Sequence, residues 1–409
     1  MITSREGLIN ALHEAAELEH GLMLQYMFAA MSMKKRLDEG ISGEQQELLR
    51  DWESRILGVM REEMAHLGTV CNLLTSIGGA PRFDRPNFPQ PAKTRYPFSF
   101  DLLPFSDEAL YRFIRFELPK GETPPAPPSR QPTAFGVYLA ALSFEVIPEP
   151  IEYEYIGELY RQIAEGFRSI PENKLFIGPK FAQDVENWSR RMQILRVVDR
   201  QSAQAAVDFI IQEGEGSPGN RAGSHYATFS DIRQQLNRES GFKASRPIVV
   251  NPRTRPHPDV SGKAITLLTN KNSVKVAELF NFCYETALLM LAQLYCFGGE
   301  TFGERGILRE SARQIMTMAL RPIAEILTEM PATDRPADGN AGPTFELYSP
   351  FQLSTQVSAR FTILYEHLVD AVGECESLVG VSSRFAFIAE NLGLILQNIR
   401  AARAKESHL

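Results

Sequence analysis

Two residues of metal-binding type are spaced so that they share one face of a predicted helix. Glu63 and His66 are three residues apart, within apolar residues that recur at alternating intervals of three and four. The residues of this face are Leu49, Trp52, Ile56, Val59, Glu63, His66, Val70, Leu73 and Ile77. An unpaired carboxylate is costly on a buried face. Glu-x-x-His on an inward helix face is the arrangement by which dinuclear carboxylate proteins hold iron or manganese. The alternative interpretation is a hydrogen-bonded Glu–His pair that fills a core.

An earlier segment supplies a second inward-facing carboxylate. Its apolar face follows the same spacing and consists of Leu8, Leu12, Ala15, Glu19, Leu22, Tyr26, Ala29 and Met33. Glu19 is the only charged residue on this face, and Tyr26 follows it two helical turns later. A carboxylate and a phenol that face a Glu-x-x-His helix form half of a four-helix metal site. Glu17, His20 and His13 lie off the face and are interpreted as solvated or rim residues.

Long helices are needed to bring these side chains together. Residues 4–39 and 43–78 are predicted as two helices, and their short connection makes them antiparallel neighbours. A proline-rich stretch, 81–132, predicts a long crossover with one helix at 106–117 that Ser106 caps. The aromatic residues of the crossover are expected to pack on the bundle, and a substrate lid is the alternative. They are Phe83, Phe88, Tyr96, Phe98, Phe100 and Phe105.

The rest of the sequence also has helical patterns, and hardly any segment is typical of a strand. Helices are predicted at 133–145, 150–167, 180–214, 272–297, 304–330, 351–379 and 381–404. Residues 217–262 are predicted to be a surface excursion with a short helix at 229–236, and Pro322 is expected to kink or break its helix. The fold class is therefore all-α. The predicted four-helix bundle comprises 4–39, 43–78, 145–168 and 183–214, within a domain of residues 1–240, and a helical domain covers 263–409.

Composition limits the possible partners and compartment. The chain has 409 residues and a formal net charge of −7 without a basic face, so a nucleic-acid partner is not expected. The longest apolar segment, 276–297, is interrupted by polar residues, so no membrane span is expected. The sequence begins with a capped polar helix, which argues against a signal peptide. Four widely spaced cysteines indicate reduced core thiols in a cytoplasmic protein.

Several short motifs, in a fixed order, resemble one known family. They are Glu19-His20 through Tyr26, Arg61-Glu62-Glu63-Met64-Ala65-His66, Ile77-Gly78-Gly79, Tyr96-Pro97-Phe98, Leu103-Pro104-Phe105-Ser106, Phe116-Glu117-Leu118-Pro119, Ile156-Gly157-Glu158-Leu159-Tyr160, Gly214-Glu215-Gly216 and Ser224-His225-Tyr226. Over roughly residues 5–235 the sequence resembles the ferritin-like domain of iminophenyl-pyruvate dimer synthase type, found in bacterial bis-indole (violacein-like) biosynthesis. The resemblance implies a ferritin-like four-helix bundle with an additional C-terminal helical region.

The resemblance also implies the remaining ligands of a two-metal site. Glu19, Glu63 and His66 would hold one divalent metal ion, and Glu158, Glu215 and His225 would hold a second one. Iron is the expected metal and manganese the alternative, because carboxylates and imidazole suit both. Periodicity alone favours Glu213 over Glu215, and it also allows Glu158 to be on a solvated face. Tyr26 is the catalytic candidate, either as a redox-active phenol or as a hydrogen-bond donor to a ligand carboxylate.

These observations lead to one functional expectation and two alternatives. The expectation is a non-haem dinuclear metal oxidoreductase of secondary metabolism that acts on a small amino-acid-derived metabolite such as an imine. The alternatives are an iron-binding protein with ferroxidase or storage activity, and a non-catalytic metal-binding partner protein. A homodimer or a biosynthetic partner enzyme is also expected. Because His225 lies in a segment rich in Gly and Ser, the second metal is expected to bind less tightly than the first.

Overall fold

The computed structural model describes most of the chain. The described residues are 2–90, 99–128, 153, 155–186, 188–189, 192–214, 223–239, 241–256, 265–296, 298–349 and 352–406. They fall into two compact units. The first unit comprises Met1–Arg85 and Pro89–Ser245, and the second comprises Pro86–Phe88 and Arg246–Leu409. The first contains every candidate site residue that the structure describes.

The first unit contains seven α-helices in its described part. They are α1 (Arg5–Ser32), α2 (Gly43–Ser76), α3 (Asp107–Phe116), α4 (Ile156–Ser169), α5 (Glu172–Leu175), α6 (Arg200–Glu213) and α7 (His225–Arg238). Short 3-10 turns lie at Leu37–Glu39 and Lys180–Ala182. Helices α1 and α2 pack extensively on each other, α4 packs on α1 and α6, and α6 packs on α2. These four helices form the predicted ferritin-like bundle.

Helices α1 and α2 have the faces and caps that their sequences predict. Ser4 caps α1 by accepting a hydrogen bond from the backbone N–H of Gly7, and Ser42 caps α2 with a reciprocal bond to Gln45. Helix α1 ends at Ser32, earlier than the predicted residue 39, and the chain then makes a 3-10 turn. The residues of the predicted inward faces are buried, Glu19, Glu63 and His66 among them.

The described part of the crossover contributes one helix, α3, at the predicted position. Ser106 accepts a hydrogen bond from the backbone N–H of Ala109, which begins the helix one residue later. Phe105 stacks on Trp52 with ring centroids 5.6 Å apart, so this part of the crossover packs on the bundle. Tyr96 and Phe98 lie outside the described residues, as does the helix predicted at 133–145.

The long helix predicted at 180–214 is wrong, since among the described residues of this range the α-helical ones all belong to α6, and Lys180–Ala182 form a 3-10 turn. Residues 183–186 and 192–197 have no helical structure and run along α2. The Asn72 side chain donates to the backbone carbonyls of Asp184 and Leu195, at 2.7 and 2.9 Å. Gln183 pairs with the backbone of Val197. Side chains thus bind backbone groups that a helix would have used internally, and α6 begins only after its cap, Asp199.

Helices α3 and α7 pack against each other as a pair beside the bundle. The Arg233 guanidinium donates to both carboxylate oxygens of Asp107, at 2.5 and 3.1 Å. Phe113 and Phe229 have ring centroids 5.3 Å apart, and Tyr26 of α1 lies 4.7 and 4.8 Å from the two rings. The pair is therefore held to the bundle by an aromatic cluster. Helix α7 is longer than the short helix predicted at 229–236.

The second unit is also mainly helical in its described part. Its elements are β1 (Pro252–Arg253), β2 (Thr266–Leu267), α8 (Lys271–Tyr295), α9 (Phe302–Gln314), α10 (Arg321–Leu327), α11 (Val357–Ser377) and α12 (Arg384–Glu406). A π-helical turn, Ile315–Leu320, joins α9 to α10, and Pro322 is the second residue of α10. Pro322 has no N–H to donate to Met318, and the Asn391 side chain donates to that carbonyl instead. The kink or break expected at Pro322 therefore takes the form of a π-helical turn just before it.

No helix in the described part of either unit is long and apolar enough to cross a membrane.

Candidate metal centre

The first group of candidate ligands comes from α1 and α2. Nδ1 of His66 lies 3.0 Å from Oε2 of Glu63 and 3.6 Å from Oε2 of Glu19. All three side chains are fully buried. Each residue lies in the middle of its helix, and the buried apolar residues one turn before and after it fix the direction of its side chain. The structure thus brings together the three residues that periodicity predicted.

A second group adjoins the first and shares Glu63 with it. Nδ1 of His225 lies 3.0 Å from Oε1 of Glu63 and 3.4 Å from Oε2 of Glu117. His225 is the first residue of α7, and Glu117 caps the C-terminus of α3. Both are fully buried. Glu63 directs one carboxylate oxygen at each histidine, so it belongs to both groups of candidate ligands.

Each terminal carboxylate has a phenol partner on its other oxygen. Tyr160 of α4 donates to Oε1 of Glu19, and Tyr26 of α1 donates to Oε1 of Glu117 at 2.5 Å. The Oε2 atoms of Glu19 and Glu117 face the histidines. The phenols therefore leave one oxygen of each carboxylate available to a metal ion.

Each histidine has a carboxylate partner on its outer nitrogen. Nε2 of His66 is 3.2 Å from Oε2 of Glu213, and Nε2 of His225 is 3.0 Å from Oε2 of Glu62. The side chains of Glu213 and Glu62 are partly exposed, at 30% and 22%. A carboxylate on the outer nitrogen of a metal-binding imidazole fixes the ring orientation and directs the other nitrogen at the metal.

The buried atoms that face the centre fit a pair of metal ions. Oε2 of Glu19, Oε1 of Glu63, Oε2 of Glu117 and Nδ1 of His225 all lie in the interior without a hydrogen bond. Buried polar atoms are ordinarily hydrogen-bonded, and a bound ion is one explanation where they are not. These atoms are carboxylate oxygens and an imidazole nitrogen, a donor set that suits iron or manganese.

Charges in the metal-free centre shift the pKa values of its groups. Burial and the neighbouring carboxylates of Glu117 and Glu19 raise the pKa of Glu63 to about 7, although His225 opposes this shift. Burial alone would lower the pKa values of both histidines. The surrounding carboxylates outweigh burial, so the pKa values of His66 and His225 lie well above the ordinary value. Without metal, protons supply part of the positive charge that balances the carboxylates.

Glu158, which the resemblance implied as a ligand, is not in either group. It is a half-buried residue in the first turn of α4, whereas Tyr160 of the same helix is fully buried and reaches Glu19. Two residues correspond to about 200° around a helix, so the Glu158 and Tyr160 side chains point to different sides. Glu117 of the crossover occupies the place assigned to Glu158. This residue was missed, although it lies in the motif Phe116-Glu117-Leu118-Pro119.

The other predicted residues are placed as follows. His225 is in the second group, as the resemblance implied. Glu215 lies outside the described residues, and Glu213, the residue that periodicity favoured, contacts His66 from outside the centre. Tyr26 donates a hydrogen bond to a carboxylate, which is one of its two predicted roles.

The three residues interpreted as rim residues also lie outside both groups. His20 and Glu17 are nevertheless buried, contrary to that interpretation. Burial and the charge of Arg85 hold the pKa of His20 well below its ordinary value. Glu17 instead forms an ion pair with Arg82 at 3.1 Å, and His13 contacts the backbone carbonyl of Ala80.

A sequence profile of the Ferritin-like family matches residues 12–234, more than half of the chain. The protein belongs to the Ferritin-like family. A crystal structure of a ferritin-like protein from Caulobacter vibrioides shares this fold, with a TM-score of 0.50 and 18% sequence identity over 79% of this chain and 95% of that one. The matched region contains every described residue of the candidate centre.

Two longer proteins are similar in sequence over most of this chain. Dichlorochromopyrrolate synthase of Lentzea aerocolonigenes is 27% identical over 91% of this chain. 2-Imino-3-(indol-3-yl)propanoate dimerase of Chromobacterium violaceum is 26% identical over 81% of it. The matches span only 39% and 33% of the lengths of these two proteins. Both names are those of enzymes.

Proposed function

We propose that this protein is a non-haem dinuclear metal oxidoreductase that acts on a small amino-acid-derived metabolite, an imine being the first candidate. The observation that carries the proposal is the shared carboxylate of Glu63, whose two oxygens face two separate histidines in a buried centre. The name of the Chromobacterium violaceum relative supports the substrate class, because an imino acid with an indole ring is derived from an amino acid.

The residues that would hold the metals follow from the contacts. Glu19, Glu63 and His66 would hold one ion, and Glu63, Glu117 and His225 would hold the other. Two such ions, when bound, would supply the redox chemistry by which dioxygen oxidises the substrate. Iron is the proposed metal and manganese the alternative, because all donors are carboxylate oxygen or imidazole nitrogen.

The protein's own residues would orient the ligands and move protons. Tyr160 and Tyr26 each hold one oxygen of a terminal carboxylate, which leaves the other oxygen for the metal. Glu213 and Glu62, whose side chains are partly exposed, contact the outer nitrogens of His66 and His225. Because the carboxylates around them raise the pKa values of the metal-free histidines, binding of metal would release a proton from Nδ1 of each ring, while Glu213 and Glu62 would hold the proton on Nε2.

The first experiment measures the metals directly. Anomalous scattering at the iron and manganese edges, on crystals of the protein as purified, should show two peaks on either side of the Glu63 carboxylate. Elemental analysis of the same sample should give two ions per chain. One peak, or none after reconstitution with Fe(II) and Mn(II), would contradict the dinuclear proposal.

The second experiment tests the substrate class. An amino-acid oxidase acting on L-tryptophan or L-phenylalanine supplies the imino acids, and mass spectrometry follows their oxidised products with metal-loaded and metal-free protein. Oxidative coupling of two imino acids removes two electrons and two protons, which dioxygen accepts as hydrogen peroxide. Product that depends on the metal supports the proposal. A protein that oxidises Fe(II) but neither imino acid would favour the ferroxidase alternative.

A Glu63→Ala variant is the matched control for both experiments. Its loss of metal should remove the product, while the background reaction of the imino acids remains.

A further inference from the structure

Gly214, at the C-terminal end of α6, comes unusually close to the second group of candidate ligands. We call this group, Glu63, Glu117 and His225, the second half-site, and the group of Glu19, Glu63 and His66 the first half-site. A Cβ atom at this position would lie 2.5 Å from Nδ1 and 2.9 Å from Cε1 of His225, and 3.3 Å from Oε2 of Glu117. A Cβ does not come within 3.0 Å of another heavy atom unless something moves. Nδ1 of His225 and Oε2 of Glu117 are also two of the four buried atoms of the candidate centre that have no hydrogen bond.

The backbone conformation does not explain why residue 214 is a glycine. Its φ of −124° and ψ of −72° do not lie in the left-handed region that favours glycine at helix ends. The requirement for a small residue therefore comes from the space next to His225 and Glu117.

The His225 ring has little freedom to move away from a larger residue. Its Nε2 atom is held 3.0 Å from Glu62, and its Nδ1 atom lies 3.0 and 3.4 Å from Glu63 and Glu117. A rotation that relieved the contact with residue 214 would break these approaches. The residue before it, Glu213, contacts His66. The end of α6 thus contacts both half-sites through two consecutive residues.

We propose that Gly214 is required for metal binding at the second half-site. Its missing side chain keeps the space at Nδ1 of His225 and Oε2 of Glu117 open for a metal ion. This inference rests on the proposed dinuclear centre and adds a residue that is not itself a ligand.

The test is a Gly214→Ala substitution in the full chain, titrated with Mn(II) and Fe(II). We expect the number of tightly bound ions to fall from two per chain to one. Affinity at the remaining site should stay within about twofold of wild type, while the second step weakens at least tenfold, the range for residues that support metal ligands. Electron paramagnetic resonance of the Mn(II) form should change from a coupled pair to an isolated ion.

Two glycines of the same unit provide matched controls. A Cβ at Gly21, two residues from Glu19 in α1, would make only an ordinary contact of 3.8 Å with Phe100, and a Cβ at Gly43 would meet nothing within 4 Å. Gly21→Ala and Gly43→Ala should both keep two ions.

A double variant covers the case in which Gly214→Ala folds poorly. In a His225→Ala background the close contact with the ring is gone, so adding Gly214→Ala should change neither the metal count nor the melting temperature. Such non-additivity locates the effect at His225. If the substitution lowers stability equally in both backgrounds, or if Gly214→Ala retains two ions at wild-type affinity, the inference is overturned. A wild-type protein that binds fewer than two ions would instead contradict the proposed function.

Discussion

The two halves of the candidate metal centre are built from different kinds of structural element. Glu19, Glu63 and His66 project from the middle of α1 and α2, where each is flanked by buried turns of the same helix. Glu117 and His225 lie at the end of α3 and the beginning of α7. Ligands within a packed helix are held more precisely than ligands at element ends. The first half-site is therefore expected to be the more rigid one.

The helix dipoles extend this contrast. His225 lies at the positive N-terminal end of α7, and Glu117 lies at the negative C-terminal end of α3. The positive end of α7 disfavours a charged imidazole at His225, by about 0.3–1 kcal/mol at a typical helix terminus. Neutral imidazole is the form that binds metal, so α7 favours the binding form of His225.

The largest expected effect comes from removing the residue that the halves share. Glu63→Ala should reduce the metal content from two ions per chain to nearly none, because it deletes a ligand of each half-site. Elemental analysis of the reconstituted variant measures this loss. Glu44→Ala, an exposed change in the first turn of the same helix, is the control and should retain both ions. A variant at Glu63 that keeps one tightly bound ion would show that one half-site is independent of the other.

The two histidines should separate the halves. Titration of metal-free protein with Fe(II) or Mn(II) should give two unequal steps, and His225→Ala should remove only the weaker one. His66→Ala should remove the tighter one and keep much of the helical content, since the apolar face around it remains. Calorimetry and circular dichroism measure the two effects. Loss of both steps in either variant would mean that the halves cannot be separated in this way.

The metal-free protein should lose stability as pH rises. Glu63 holds its proton up to about pH 7 in the folded state, whereas in the unfolded chain it titrates near 4.5. This difference corresponds to roughly 3 kcal/mol that is lost as pH rises through this interval. The raised pKa values of His66 and His225 act in the same direction, since their contribution is present below pH 6.5 and is lost as pH passes the raised values.

Urea denaturation of metal-free protein between about pH 5 and about pH 8 measures this dependence. Glu63→Gln cannot ionise and should flatten the lower part of the curve. Stability that rises with pH over this range would contradict the assignment of protons to the metal-free centre.

The smallest expected effects are those of the two phenols. Tyr160→Phe should weaken the tighter metal step and Tyr26→Phe the weaker one, each by roughly tenfold, because each removes the hydrogen bond that orients one terminal carboxylate. Both variants keep the aromatic ring, so packing around Tyr26 should be preserved. If both variants weaken the same step, the pairing of each phenol with one half-site is incorrect.

The first half-site could be predicted from the sequence because its ligands interrupt regular apolar faces. Glu19, Glu63 and His66 are each the polar exception on such a face, and the face fixes their direction. Glu117 offers no such signal, since a residue at a helix end has no face to follow. Glu158 matched a family motif, but Tyr160, two residues later in α4, is the fully buried residue that contacts Glu19.

The length of α6 could not be predicted for a different reason. Residues 180–199 have a helical pattern, but Asn72, more than 100 residues earlier, binds the backbone carbonyls of Asp184 and Leu195. Contacts between residues so far apart in sequence override the local helix propensity, and a short stretch of sequence does not reveal them. The bundle helices α1 and α2 were predicted well because their pattern and their caps agree.

The ion pair between Asp107 and Arg233 has a consequence for local opening of the molecule. It ties α3 to α7, so we expect Glu117 and His225, the candidate ligands specific to the second half-site, to open as one cooperative unit. Such a unit can detach from α1 and α2 without global unfolding. An ion bound between Glu63, Glu117 and His225 would hold the unit in place, and amide hydrogen exchange in α3 and α7 should slow together when metal is added. Exchange that slows in α7 alone would show that the two helices open separately.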